Sequence, residues 1–169
     1  GDNYELPNMT AYNETCAAIS MVYLFERMFL LHGESKYIDC MERSLYNGVI
    51  SGMSMDGGRF FYPNPLSSDG KYKFNADGNT TRQPWFGCAC CPSNLCRFIP
   101  SVPGYLYGVK GNNIYVNLFA GNTSTIKVNG KDVVLEETTE YPWNGDIKIA
   151  VKKSGVKNAN LLVRIPGWV

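Results

Sequence analysis

Hydrophobic positions along this chain fall into two regimes of different period. From Thr10 to about Ser51 they recur at helical spacing. The run from Cys16 to Leu31 is apolar at nearly every position, so a helix capped by Thr10 or Asn13 and buried on most sides is expected there. Gly33 supplies its stop. A second helix starts at Ser35, sets Tyr37, Met41, Leu45 and Val49 on one face with Ile38 beside them, and closes at Gly48 and Gly52. Two helices joined by so short a loop predict an antiparallel hairpin. Residues 52–100 read mostly as loop. They hold a short strand at Arg59 to Tyr62 ended by Pro63 and Pro65, an exposed polar run from Ser67 to Arg82, and a short helix from Leu95 to Ile99.

From Gly104 onward the period drops to two. Tyr105 to Val109 and Ile114 to Phe119 flank Gly111-Asn112-Asn113, and Thr125 to Val128 and Asp132 to Leu135 flank Asn129-Gly130, a strong hairpin signal. Asp146 to Val151 and Leu161 to Ile165 complete the strands, and short strands at this spacing predict an antiparallel β-sandwich. The fold class is therefore α+β, with a helical part over residues 1–100 and a β part over residues 101–169.

Composition changes this picture little. The chain has 169 residues with 44% hydrophobic and 18% charged, as in a globular protein. Sixteen basic against fifteen acidic residues give no electrostatic reason to expect nucleic acid or an anionic membrane as a partner. The stretch Ala17 to Leu31 contains Glu26 and Arg27 and reads as too short and too charged to span a bilayer. The first residues lack the charged-then-apolar start of a secretory signal. A start at glycine is expected of a processed or truncated chain, so the compartment, cytoplasmic or exported, is left open.

The cysteines change it more. Cys88, Cys90 and Cys91 crowd into four residues, too close for comfortable disulfide geometry with one another, and such a cluster points to a metal or a reactive thiol. Glu14 and Cys16 lie two apart at the start of the apolar helix, where an extended lead-in puts both on one side and the helix N-terminus favours anions. Zinc takes four ligands from sulfur, nitrogen and oxygen, and Glu14 and Cys16 with Cys90 and Cys91 supply such a set. Pro92 argues against a regular helix at Cys91. The spacing lacks the CxxC pairs of a zinc finger or a thiol redox motif, so chemistry alone reads as a metal or redox site. Separately buried thiols are the plain alternative, and the better reading of Cys40 and Cys96.

Several motifs add a resemblance. Tyr4-Glu5-Leu6-Pro7-Asn8, Thr10 through Ile19 with its Glu14-Thr15-Cys16, and Glu42 through Gly48 all resemble glycoside hydrolase family 127, the β-L-arabinofuranosidases. So do Phe61 through Leu66, Trp85 through Asn94 with its Cys88-Ala89-Cys90-Cys91-Pro92-Ser93-Asn94, and Arg164 through Trp168. The resemblance implies the end of an (α/α)6 barrel followed by a β-sandwich, and retaining hydrolysis through a cysteine held on zinc. Residue by residue, Cys90 resembles the nucleophile and a metal ligand, Glu14, Cys16 and Cys91 resemble the other ligands, and Glu42 resembles a carboxylate that contacts sugar hydroxyls. A plant-type oligosaccharide or polysaccharide is the implied substrate. The family's acid/base glutamate lies upstream of the Tyr4–Asn8 segment; Glu5 does not match it, and His32 matches none of the family's pocket histidines. The isolated chain is accordingly expected to bind zinc and to hydrolyse little. Against this stand a zinc-stabilised module without catalysis and a carbohydrate-binding β-sandwich with Trp143 or Tyr141 as a stacking platform.

Overall fold

The computed structural model describes residues 5–169, so Tyr4 of the first motif lies outside the described residues. The chain divides into two compact units, one ending at Ser101 and one starting at Val102.

In the first unit, helix α1 (Thr15–His32) and helix α2 (Ser35–Ser44) form the expected hairpin, with Gly33 in the left-handed conformation (φ 71°) donating its N–H to Phe29 O at 2.7 Å. The helical path does not stop after α2. It continues through a π-helical turn, Leu45–Val49, and a 3-10 turn, Ile50–Gly52. Gly48 and Gly52 are spacers here rather than stops. A Cβ on Gly48 would stand 2.7 Å from Ala18 Cβ, and one on Gly52 would stand 2.8 Å from Thr15 Oγ1. Their lack of a side chain lets this segment lie directly on α1.

α1 is less enclosed than its composition predicts. Thr15, Ile19, Val22 and Phe29 form the buried stripe, while Met21, Leu24, Leu30 and Leu31 are exposed. At 18 residues with mean hydropathy 1.2 the helix passes, by length and composition, as long and apolar enough to cross a membrane. That corrects the reading from the shorter stretch Ala17 to Leu31. In the fold it packs on α2 and on helix α3 (Cys90–Phe98), against which Tyr23 sets its ring edge-to-face on Phe98 at 5.5 Å.

α3 starts five residues before the expected short helix, and Pro92 lies within its first turn. The proline is tolerated because an N–H at that position has no intrahelical acceptor to lose. Arg59 to Tyr62 forms isolated bridges, Phe60 to Met53 and to Gln83, instead of a strand. The run from Ser67 to Arg82 is not wholly exposed either. Asn75, 4% accessible, accepts from Tyr62 N at 2.8 Å and donates to Phe60 O and Thr81 O at 3.2 and 2.9 Å.

A 3-10 stretch, Ile99–Tyr105, leads into the strands of the second unit. Strands β1 (Tyr107–Lys110) and β2 (Asn113–Val116) form one hairpin, and β3 (Asn122–Val128) and β4 (Lys131–Thr139) form another. Asn129 and Gly130 both have positive φ (49° and 77°), the backbone a tight primed turn needs. β5 (Ile147–Ser154) adds antiparallel to β4, and β6 (Asn160–Val163) adds parallel to β2. The sheets are thus β1-β2-β6 and β3-β4-β5, and the expectation of a purely antiparallel arrangement fails at β6. β6 is reached from a strand of the other sheet, so its connection is a crossover and no hairpin fixes its direction. Ile114 of the first sheet shares a core with Ile126, Val128, Val133 and Leu135 of the second. Arg164 closes one end, its Nε donating to Asn117 O at 2.6 Å and its guanidinium resting between the rings of Phe119 and Trp168.

Candidate metal centre

The site is assembled at two helix N-termini. Glu14 is the residue before α1, extended at φ −67°, ψ 132°, and its carboxylate does not cap the helix. The carboxylate is free to face sulfur instead, and Cys16 enters from the first turn of α1. Ala89 (φ −88°, ψ 36°) turns the chain into α3, so Cys90 and Cys91 occupy the first two helical positions. Each segment brings its ligands to the positive end of a helix dipole, which favours thiolate and carboxylate.

Backbone contacts fix the first segment. Thr15 N donates to Tyr62 O at 3.0 Å and Thr15 Oγ1 to Phe61 O at 3.1 Å, while Asn64 N donates to Asn13 O at 2.8 Å. Asn75 holds Tyr62 N in turn. The second segment is steadied by Asp77, whose carboxylate accepts from Gly87 N at 3.2 Å, and by Ser93 Oγ, which donates to Ala89 O and Cys90 O.

Four ligand atoms, one each from Glu14, Cys16, Cys90 and Cys91, lie within 4.8 Å of one another. Cys16 Sγ stands 3.4 Å from Cys91 Sγ, and Cys90 Sγ stands 3.9 Å from Cys91 Sγ. Glu14 Oε1 is 4.0 Å from both Cys90 Sγ and Cys91 Sγ. A tetrahedron with Zn–S bonds of ~2.3 Å and a Zn–O bond of ~2.0 Å has S···S edges of ~3.8 Å and S···O edges of ~3.5 Å. These distances fit such an ion, and the donor set, three thiols and one carboxylate, suits it chemically. Without a cation the same crowding favours protons. Burial, with Cys16 beside it, pushes the Cys91 thiol well above the ordinary thiol range. A bound divalent cation reverses that preference and releases the protons on binding.

All six cysteines are free. Cys88 and Cys96 are exposed and Cys40 is half-buried; none belongs to the cluster. Glu42 sits on α2 at 2% exposure, buried and not on a solvated helix face. It does not line the cavity of about 310 Å³ that opens beside Glu14 among Asn13, Arg43, Ser44, Asn47 and Asn64. Two site neighbours escaped the sequence reading. Tyr12 and Cys90 beside the Tyr62 phenol, with the Glu14 carboxylate, hold it well above the usual range. Tyr62 lay inside the quoted Phe61–Leu66 motif, but spacing alone does not tie it to Cys90.

A helical unit bearing a thiolate–carboxylate centre, followed by a two-sheet unit, defines the class, and comparison with known proteins supplies the family. The model of the GH127 β-L-arabinofuranosidase catalytic domain matches residues 1–104, and that of the GH127 middle domain matches residues 113–169. The chain belongs to the GH127 β-L-arabinofuranosidase family, a family of glycoside hydrolases. It is 34% identical to a non-reducing end β-L-arabinofuranosidase of Bifidobacterium longum subsp. longum over 98% of this chain, and spans 26% of that protein. A solved GH127 β-arabinofuranosidase superposes with TM-score 0.90 at 58% identity, covering 99% of this chain and 25% of that one. A second, from Geobacillus stearothermophilus T6, superposes with TM-score 0.83 at 43% identity over 97% of this chain and 26% of its own. The chain thus spans about a quarter of the length of these relatives.

Proposed function

We propose that this chain is the metal-bearing part of a retaining glycoside hydrolase that acts on β-L-arabinofuranosides of plant-type saccharides. The observation that carries the reading is the convergence of Glu14, Cys16, Cys90 and Cys91 from segments about 75 residues apart. These four residues hold zinc, and the ion supplies the positive charge that keeps the thiols deprotonated at neutral pH. Cys90, half-buried and at the start of α3, is the nucleophile. Its sulfur forms a bond to the anomeric carbon as the glycosidic C–O bond breaks and the leaving oxygen takes a proton. Water then breaks the C–S bond, and two displacements retain the configuration. Glu42, buried on α2, contacts sugar hydroxyls in this reading. The helices belong to an (α/α)6 barrel and the two sheets to a β-sandwich.

No residue of this sequence matches the family's acid/base glutamate, so the chain by itself holds the ion but turns over slowly or not at all. Metal analysis of the purified chain tests the site. One zinc per chain is expected, with loss of it in Cys90→Ser and Cys91→Ser. A folded chain with no metal, or variants that retain it in full, would overturn the metal reading. Turnover of an arabinofuranoside by the chain at the rate of a full-length relative would overturn the assignment of acid/base work to another part.

One observation favours a second reading of the β unit. Trp143 is 92% exposed, as a sugar-stacking platform would be, whereas Tyr141 packs edge-to-face on Phe119 at 5.5 Å like a core residue. Titration of the chain with arabinan fragments, followed by tryptophan fluorescence, tests it; no difference between the chain and Trp143→Ala excludes the platform.

A further inference from the structure

We propose that Glu137 keeps a proton in the folded chain and, as a neutral acid, joins the two sheets of the second unit through Tyr107, a joint that loosens as the proton is lost. Glu137 is on β4 at 2% exposure, in register with Asn122 of β3 on one side and Ile149 of β5 on the other. Tyr107 is on β1, in the other sheet. Its hydroxyl lies 3.1 Å from Glu137 Oε2, 3.1 Å from Asn122 Nδ2 and 3.2 Å from Asn122 Oδ1. Asn122 is fixed in turn, its Nδ2 donating to Ala120 O at 2.7 Å and its Oδ1 accepting from Ser124 Oγ at 2.8 Å. Tyr107 also packs against the apolar core that the two sheets share, so this polar cluster borders that core.

The donors and acceptors decide where the proton sits. An ionised Glu137 would accept from Tyr107 and Asn122 at Oε2, at 3.1 and 3.5 Å, while Oε1 is buried with no hydrogen-bond partner. A buried charge with one bare oxygen is costly unless a cation offsets it. Among the described residues none does. Lys148 is one residue from Ile149, on the outer face of β5, and Lys152 pairs with Glu136. Arg164 is engaged at Asn117 O and against the rings of Phe119 and Trp168. β3 presents Asn122 and Ser124, β5 presents Ile149, and β1 presents the Tyr107 phenol, whose own ionisation burial pushes up to about 12. Protonated at Oε2, Glu137 donates to the Tyr107 oxygen, which turns its hydrogen to Asn122 Oδ1. Each hydroxyl then has an acceptor, and Oε1 is a neutral carbonyl whose bare lone pairs cost less than a charge. The upward shift of this carboxyl, with burial as its largest cause, points the same way. Loss of the proton reverses the Tyr107 hydroxyl and leaves a charge between the sheets, which only entry of water can solvate.

The test compares the chain with Glu137→Gln and Tyr107→Phe over a pH series. Infrared difference spectra read the C=O stretch of a protonated carboxyl, and amide hydrogen exchange reads protection in β1 and β2. At pH values where exposed carboxyls are ionised, the chain is expected to keep one protonated-carboxyl band that Glu137→Gln lacks. Protection in β1 and β2 is expected to fall about tenfold per pH unit while the closed form holds a proton that the open form has lost. Glu137→Gln is expected to show no such fall. In Tyr107→Phe the band moves to higher frequency, because the acid has lost its acceptor, and protection in β1 and β2 drops roughly three- to tenfold, the scale of one hydrogen bond. Absence of the band overturns the proposal, and so does a band unmoved in Tyr107→Phe. Protection that follows pH alike in the chain and in Glu137→Gln also overturns it. If Glu137→Gln does not fold, the band and its movement in Tyr107→Phe decide.

Discussion

Asn75→Ala is the substitution whose cost can be worked most directly from the contacts. The side chain is 4% exposed and makes three hydrogen bonds, one accepted from Tyr62 N at 2.8 Å and two donated to Phe60 O and Thr81 O at 3.2 and 2.9 Å. Alanine leaves all three partners without it. Thr81 is exposed and its carbonyl can recruit water, so its loss is small. Phe60 O keeps the hydrogen bond from Gln83 N at 2.9 Å, whereas the N–H of half-buried Tyr62 is stranded at a cost of about 1–3 kcal/mol. The loss is about 1–3 kcal/mol, which for a unit of this size lowers the melting temperature by about 5 °C or more.

The damage reaches the metal centre as well. Tyr62 carries the carbonyl that accepts from Thr15 N and lies beside Cys91 Sγ, so releasing its N–H loosens the first turn of α1 and with it Glu14 and Cys16. Loss of outer-shell support of this kind typically costs about 10- to 100-fold in metal affinity. Asn75→Asp keeps the acceptor for Tyr62 N and removes the two donations, so it is expected to destabilise the unit while holding zinc more tightly than Asn75→Ala does. Urea denaturation gives the stability, and competition with a chromophoric chelator gives the affinity. A loss below about 1 kcal/mol in Asn75→Ala, or equal zinc affinities for the two variants, would refute this reasoning.

Further outcomes follow from other contacts. Gly48→Ala gains helix propensity of about 1 kcal/mol but places a methyl 2.7 Å from Ala18 Cβ, and overpacking of about 1–3 kcal/mol is expected to win, read as a lower urea midpoint. Cys16→Ser is expected to lower zinc content while Cys88→Ser, outside the cluster, leaves it at the level of the unaltered chain. Glu137 is buried in the second unit, where burial raises its carboxyl despite hydrogen bonds from Tyr107 and Asn122. A raised folded value means the unfolded chain loses its proton first. Stability from this group is therefore complete below the ordinary carboxylate range and declines as pH rises through the folded value. Glu137→Gln is expected to flatten that decline in denaturation series taken from pH 4 upward; an unchanged slope would count against it.

Local physics accounts for what the sequence made legible. Asn129-Gly130 specifies its turn because those two residue types tolerate positive φ, and Gly33 stops α1 for the same reason. The cluster that could hold a metal was legible through residue types, since few roles other than metal or redox chemistry call for three thiols in four residues. What stayed hidden depended on partners far along the chain. Pro92 reads as a helix breaker unless the helix begins just before it, and the start at Cys90 follows the turn at Ala89. Gly48 and Gly52 read as stops because their true role, contact with Ala18 and Thr15, needs α1 already in place. Asn75 reads as one more polar loop residue, since its three partners lie at positions 60, 62 and 81. β6 could not be oriented from its own residues, because parallel pairing to β2 is decided by the crossover.

The arrangement of the centre has a consequence for how it withstands loss of the ion. Glu14, Cys16, Cys90 and Cys91 come from two helix starts, and each start is pinned by contacts that do not involve the cation: Thr15 to Phe61 and Tyr62, Asn64 to Asn13, Asp77 to Gly87. These contacts hold the two helix starts that carry the four ligand atoms, which lie within 4.8 Å of one another. A zinc finger, by contrast, has no such scaffold and unfolds without metal. Removal of a metal bound there is therefore expected to leave the fold in place and to be accompanied by proton uptake, read by circular dichroism and pH-stat titration of the chelator-treated chain.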